Sequence, residues 1–255
     1  MSARTIFCRF CGAAGAHKFG KDRQRRQRYK CAACCKVFTN RTNTVRSGSR
    51  LSHREWQLAE RLFASRVGMS GVDLGNILGY GRRTGQRMNR SFRRAVRSLA
   101  PSILPGASEW DESVPLRLQW VLGGVSRGLQ RCLLQCIPDR AGRTLIPIVE
   151  RGSDPEGLVF TDEHCGYIGI VNRWTVNHSQ GFVHPQASFV HTNTIEGVWG
   201  HLKPLGQHVY RGFPRCTLPD FLAEFMFRYN LPQYKTRLAV LSALLKRPKT
   251  NSQVV

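Results

Sequence analysis

LQWVLGGVSRGLQRCLLQCI, residues 118–137, decides how the back half of this chain is read. Residues 118–125 and 129–137 are apolar runs parted by Ser126, Arg127 and Gly128. Runs of that length around turn residues predict two strands joined by a turn. Residues 141–150 predict a short helix through Leu145, Ile146 and Ile148, and residues 158–162 a buried strand ending in an acid. Ile195, Val198, Trp199 and Leu202 repeat at helical spacing, as do Leu222, Phe225, Met226 and Tyr229. Strand, strand, helix, strand, helix predicts an α/β domain over residues 108–232, a sheet with covering helices. A C-terminal helix and tail follow over residues 233–255.

Outside that domain the charge changes. The chain of 255 residues carries a net charge of +23. Residues 1–100 hold 23 Lys/Arg against 4 Asp/Glu, whereas residues 101–255 hold 16 against 12. A polycationic front with a near-neutral back predicts a polyanionic partner. No apolar run is long enough to span a bilayer, so no membrane partner is expected. The start lacks the apolar core of a signal peptide, so the nine cysteines are expected to be reduced or metal-bound inside a cell. Walker-type and G-x-S-x-G patterns are both missing, which argues against a nucleotide requirement and a serine hydrolase.

The front divides in two. Over residues 1–48, Cys8-x2-Cys11 and Cys31-x2-Cys34 have the spacing of one tetrahedral, structural Zn²⁺ in a zinc ribbon. Cys35 is a register alternative to Cys34, and His17 a rival ligand. Between the pairs, KDRQRRQRYK (residues 21–30) predicts a basic arm or hairpin. Over residues 50–100, Ser52 with Glu55 and Ser70 with Asp73 predict capped helices, the first running through Trp56, Phe63 and Val67 to a stop at Gly68. A Gly79-Tyr80-Gly81 turn precedes a third helix, for which Thr84 is the expected cap. That helix carries Arg82, Arg83, Arg87, Arg90, Arg93, Arg94 and Arg97, expected to face outward to phosphates and guanine edges as part of a helix-turn-helix.

Three acids stand out in the back half. Asp111 precedes the strand pair, Asp162 ends the middle strand, and Glu196 lies in the first helical turn of HTNTIEGVWGHLK (residues 191–203), with Thr192 or Asn193 as cap. Acids converging from strand ends and a helix suit two Mg²⁺ ions ~3.5–4 Å apart for phosphodiester chemistry. Lys203, two turns beyond Glu196, shares its face and can meet a DNA phosphate. Glu112 and Glu163 would point to the opposite face of each strand. Trp199 reads as a core anchor, His178 as a ligand-orienting or core histidine, and His191 and His201 as surface residues.

WDES, WVLGGVSRG, PDRAGRTLIPIV, FTDEHCGY, VNHSQGFVHP, HTNTIEGVWGHLK and FLAEFMFRYN, in that order, resemble the blocks of DDE transposases of the Merlin group and their bacterial relatives with an ISXO-like transposase domain. The resemblance implies a ribonuclease H-like mixed-sheet fold, Mg²⁺ or Mn²⁺, and binding, cutting and joining of double-stranded DNA at terminal inverted repeats. It carries the acidic roles onto Asp111, Asp162 and Glu196, followed by Lys203, with Asn193 as the alternative third position. It also implies a possible homodimer, and a nuclear location in a eukaryotic host or a cytoplasmic or nucleoid one otherwise. The segment after Asp111 is shorter than the family usually carries, which predicts a shortened or broken first strand. The competing expectation is therefore a DNA-binding protein derived from a transposase that no longer cuts.

Overall fold

The two glycines of the opening stretch explain how the sheet is packed. The strand β5 (Val121–Ser126) is buried along its whole length and alternates its side chains between two faces. A Cβ on Gly123 would lie 2.7 Å from the Trp199 ring, and one on Gly124 2.8 Å from the Trp110 ring. Each glycine makes room for an indole on its own side of the sheet. The computed structural model describes residues 5–115, 119–176, 183–184, 187–212 and 214–247.

Around β5 lie β4 (Ser108–Ser113), β6 (Arg131–Cys136), β7 (Val159–Asp162) and β8 (Arg173–Val176), in the order β6-β5-β4-β7-β8. β4, β5 and β6 form an antiparallel meander, and β7 and β8 continue it parallel to β4. The helix α4 (Gly142–Gly152) covers one face, packing Leu145 and Val149 with Trp110 and Leu122. On the other, α5 (Asn193–Pro204) and α6 (Leu218–Asn230) bury Trp199, Leu202, Phe221 and Leu222 with Val121 and Val125. The mixed α/β architecture matches expectation. Asp111 precedes the β5–β6 pair as expected, on a strand of its own, β4, whose six residues all pair with β5, so that first strand is not broken. β8 and the short pair β9 (Val183–His184) and β10 (Ala187–His191) were not legible as strands.

At the front, β1 (His17–Lys21), β2 (Gln27–Lys30) and β3 (Val37–Thr39) form a small antiparallel sheet over Cys8, Ala16, Cys31 and Phe38. The basic run is a hairpin, its turn held by Asp22, which accepts from the backbone N–H groups of Gln24 and Arg26 at 2.9 Å each.

Three helices follow: α1 (His53–Phe63), α2 (Gly71–Ile77) and α3 (Arg82–Val96). Ser52 and Glu55 make the expected capping box, and Ser70 accepts from the Asp73 N–H. Two bounds differ from expectation. α1 stops at Phe63, leaving Val67 exposed, and α3 starts at Arg82 behind Gly81 instead of at a Thr84 cap. The α2–α3 crossing is a backbone contact, since a Cβ on Gly85 would sit 2.0 Å from the Gly71 carbonyl oxygen. The core of this unit, Trp56, Phe63, Leu74, Met88 and Phe92, is completed by Ala223 and Phe227 of α6 and by Leu241 and Leu245 of α7 (Tyr234–Lys246).

α6 thus serves both cores, and a charged knot lies between them. The fully buried Glu224 pairs with Arg93 of α3 at 2.6 Å and Arg228 at 2.6 Å, and accepts from the Tyr210 hydroxyl. Burial opposes ionisation of Glu224, but the Arg228 and Arg93 charges outweigh it and hold its pKa below the usual value. A depressed carboxylate stabilises the fold fully above its unfolded pKa, near ~4.3, and that contribution fades as pH falls through the folded value. Glu224→Gln strands two buried guanidinium groups and is expected to destabilise by about 3–5 kcal/mol at neutral pH, with the deficit shrinking under acid. Urea unfolding at pH 7 and at about pH 2–3, below the unfolded value, checks this.

Candidate functional site

The acids reach one cleft through the alternation of β4. Ser108, Trp110 and Glu112 face α4, whereas Glu109 and Asp111 face α5. Parallel pairing sets Ser108 opposite Val159 and Glu109 opposite Phe160. The same offset carried two residues on brings Asp111 level with Asp162, on the next strand. Asp111, Asp162 and Glu196 line a cleft of ≈ 380 Å³ together with Lys203, Trp199 and Arg140. Of the two candidates for the third position, Glu196 lines the cleft; Asn193 is exposed at the start of α5 and does not.

A residue that sequence reasoning missed aims the helix. Glu109, fully buried, accepts from the backbone N–H of Thr194 at 2.8 Å and of Ile195 at 2.9 Å. It caps α5 from another strand, in place of a side-chain cap by Thr192 or Asn193. A carboxylate there satisfies orphan donors and meets the positive end of the helix dipole. Arg127, from the turn between β5 and β6, pairs with Glu109 at 2.7 Å and lies 3.5 Å above the Phe160 ring. His191 is half-buried with Nδ1 3.2 Å from Glu109, not on the surface as expected; His201 is exposed. The available signal was spacing: Glu109 is two residues before Asp111 on a strand, hence on its face.

One turn along α5, the Trp199 indole N–H donates to Asp111 Oδ2 at 2.7 Å. Trp199 is therefore both core anchor and positioning group. Burial pushes the Asp111 carboxyl up to about 7; the indole N–H opposes this, and the charges of Glu112, Asp162 and Glu196 add to it. Glu112 alternates away from Asp111 on β4 yet also borders the cleft, where it pairs with Arg140 and accepts from the Tyr167 hydroxyl. Glu163 is exposed outside the cleft, and His178 lies outside the described residues.

Half-buried to exposed oxygens from three carboxylates form a hard donor set, which suits Mg²⁺ or Mn²⁺ better than a softer ion. Among the described residues, however, only the four cysteines gather their ligand atoms around one point. The acids share the cleft without converging as closely.

The cysteines fit Zn²⁺ well. Cys8, Cys11, Cys31 and Cys34 have all four sulfurs within 4.8 Å of one another. Sγ separations of 3.6 Å (Cys8–Cys34) and 3.7 Å (Cys11–Cys31) match the edge of a tetrahedron with Zn–S near ~2.3 Å. The two knuckles are alike. Phe10 N–H donates to Cys8 Sγ and Cys34 N–H to Cys31 Sγ, and each knuckle ends in a left-handed residue, Gly12 (φ 75°) or Cys35 (φ 57°). Cys35 is thus the turn residue and Cys34 the ligand, while His17 opens β1, exposed and outside the cluster. Burial opposes it, but the backbone N–H groups of Cys11 and Phe10 draw the Cys8 thiol down to about 6.

On α3, Arg82, Arg83, Arg87, Arg90 and Arg94 are exposed, without acidic partners among the described residues. Arg97 is half-exposed and pairs with Asp220 at 2.7 Å. Arg93 corrects the expectation of seven outward arginines: it turns inward to Glu224 and stacks 4.7 Å from the Tyr210 ring centre.

Comparison with known proteins agrees with the back half. Residues 117–230 match the family described as ISXO2-like transposase domain. A protein of Haemophilus influenzae (strain Rd) described as an uncharacterized transposase-like protein is 26% identical over 114 residues, covering 43% of this chain and 89% of that protein. Both support a transposase family of the IS1595 type. The matched family segment holds Asp162, Glu196 and Lys203 and begins after Asp111. Among the described residues, no helix is long and apolar enough to cross a membrane.

Two outcomes are expected. Purified protein should carry one zinc per chain, retained in Cys35→Ala and lost in Cys34→Ala, as metal analysis would read. A carboxyl whose pKa is raised by folding weakens the fold as pH rises through that value. Without added divalent metal, the melting temperature of the wild type should therefore drop between pH 6 and pH 8, a drop absent from Asp111→Asn.

Proposed function

We propose that this chain is a DNA transposase of the Merlin and ISXO-like kind, cutting and joining DNA at terminal inverted repeats from a DDE site on a ribonuclease H-like sheet. Several features support the reading. A three-strand meander extended by two parallel strands is the topology expected of such a sheet, with the acids on its first strand, its fourth strand and a covering helix. The observation that carries it is the shared cleft of Asp111, Asp162, Glu196 and Lys203.

Asp111, Asp162 and Glu196 would hold Mg²⁺ or Mn²⁺, which when bound activates water or a 3′-hydroxyl and stabilises the leaving oxygen. The protein's own part is positional. Glu109 aims α5, Trp199 holds one oxygen of Asp111, and Lys203 offers a cation to the DNA phosphate beside the acids. Zn²⁺ on the four cysteines would order the ribbon, and the outward arginines of α3 would grip duplex DNA. A second reading, a DNA-binding relic that no longer cuts, draws on one observation: the acids do not converge as closely as the cysteines.

The test uses the full zinc-loaded chain and duplexes carrying the inverted repeats of its own element, with Mg²⁺ or Mn²⁺. Cleavage is expected, falling by roughly a thousandfold or more in Asp111→Asn and Asp162→Asn and little changed in Asn193→Ala. Specific binding without cleavage by the wild type would decide for the relic.

A further inference from the structure

A cavity of ≈ 650 Å³ opens where the ribbon sheet, the loop after β3, the first turn of α1 and the end of α7 meet. Arg9, Arg26, Arg41, Arg46, His53 and Lys246 line it, and no acidic residue does. Five permanent cations around one cavity repel unless something balances them. Two are balanced from outside it: Arg26 by Asp22 at 2.6 Å, and Arg46 by the buried Glu60, which also accepts from Ser242 Oγ at 2.7 Å. Among the described residues, the Arg9 and Arg41 side chains donate to carbonyl oxygens, those of Lys246 at 3.3 Å and Leu51 at 3.0 Å. With Lys246, they have no acidic partner among the described residues.

A second observation points to a ligand. Arg46 is buried, yet its Nε has no hydrogen-bond partner. Buried donors are nearly always satisfied, so Arg46, which lines this cavity, is short of one acceptor. Several guanidinium groups lining one cavity suit a phosphate, whose oxygens accept from more than one fork. The surroundings favour a polyanion over a free ion. Arg23 and Arg25 are exposed in the hairpin turn next to Arg26, so positive charge continues outward from the cavity.

We infer that this cavity binds one backbone phosphate of duplex DNA, clamped between the ribbon and the helical unit. The inference rests on the proposed DNA binding and adds a contact on elements other than α3. It makes the ribbon a partner in the grip, together with the end of α7 that borders the cavity.

The experiment measures binding of the full zinc-loaded chain to a duplex of mixed sequence across a range of salt. Arg9→Gln/Lys246→Gln keeps every buried arginine, and zinc content and melting temperature verify its fold; Arg41→Gln is the second variant. Each should weaken binding roughly tenfold and reduce the slope of log K against log[salt] by about one. Arg87→Gln/Arg94→Gln on α3 is the comparison. If that pair lowers the slope while both cavity variants leave it unchanged, the inference falls and the DNA-binding reading stands. If the wild type binds no duplex, both fall. A titration with inorganic phosphate separates the sources: saturable phosphate binding with an unchanged DNA slope assigns the cavity to a free anion and overturns the inference.

Discussion

The acidic cleft depends on one buried carboxylate that is not in it. Glu109 lies fully buried in the sheet, where an unpaired carboxyl group is costly. That cost is offset by the two leading N–H groups of α5, the Arg127 guanidinium and His191. Because the first turn of α5 is tied to β4, the helix cannot slide along the sheet. Trp199 then falls over Gly123 and reaches Asp111, and Glu196 and Lys203 turn toward the same opening. A charge compensation in the interior thereby sets the geometry of a charged site at the surface.

Much of this was legible because it is local. Helix caps at Ser52 and Ser70, CxxC spacing and the apolar run of residues 118–125 are written within a few residues of each other, and the structure follows them. What escaped is non-local. The shortened segment after Asp111 suggested a broken strand, yet pairing with β5 across all six residues of β4 keeps it whole. Arg93 was indistinguishable from its neighbours on α3, since the acid that draws it inward is Glu224, far along the chain. Glu109 had the right spacing to share a face with Asp111, but only the fold reveals the helix end that uses its charge. Cys35 could be told from Cys34 only by its left-handed backbone, matching Gly12 in the other knuckle.

The same non-local charges join the halves. Glu224 holds α3 through Arg93 and holds Tyr210, which follows the π-helical turn at Leu205–Val209 beyond Lys203. The arginine-bearing helix and the helix that carries Glu196 are thus linked through a single buried carboxylate. The basic front and the acidic cleft, so unlike in composition, form one mechanical unit.

The return of α7 to the front has a consequence for how the chain is made. Synthesis proceeds from the amino end, so the polycationic helices leave the ribosome while Leu241 and Leu245, which seal their core, are still unmade. Closure of the helical core therefore waits for α7, and by then every residue of the acidic cleft has already been translated.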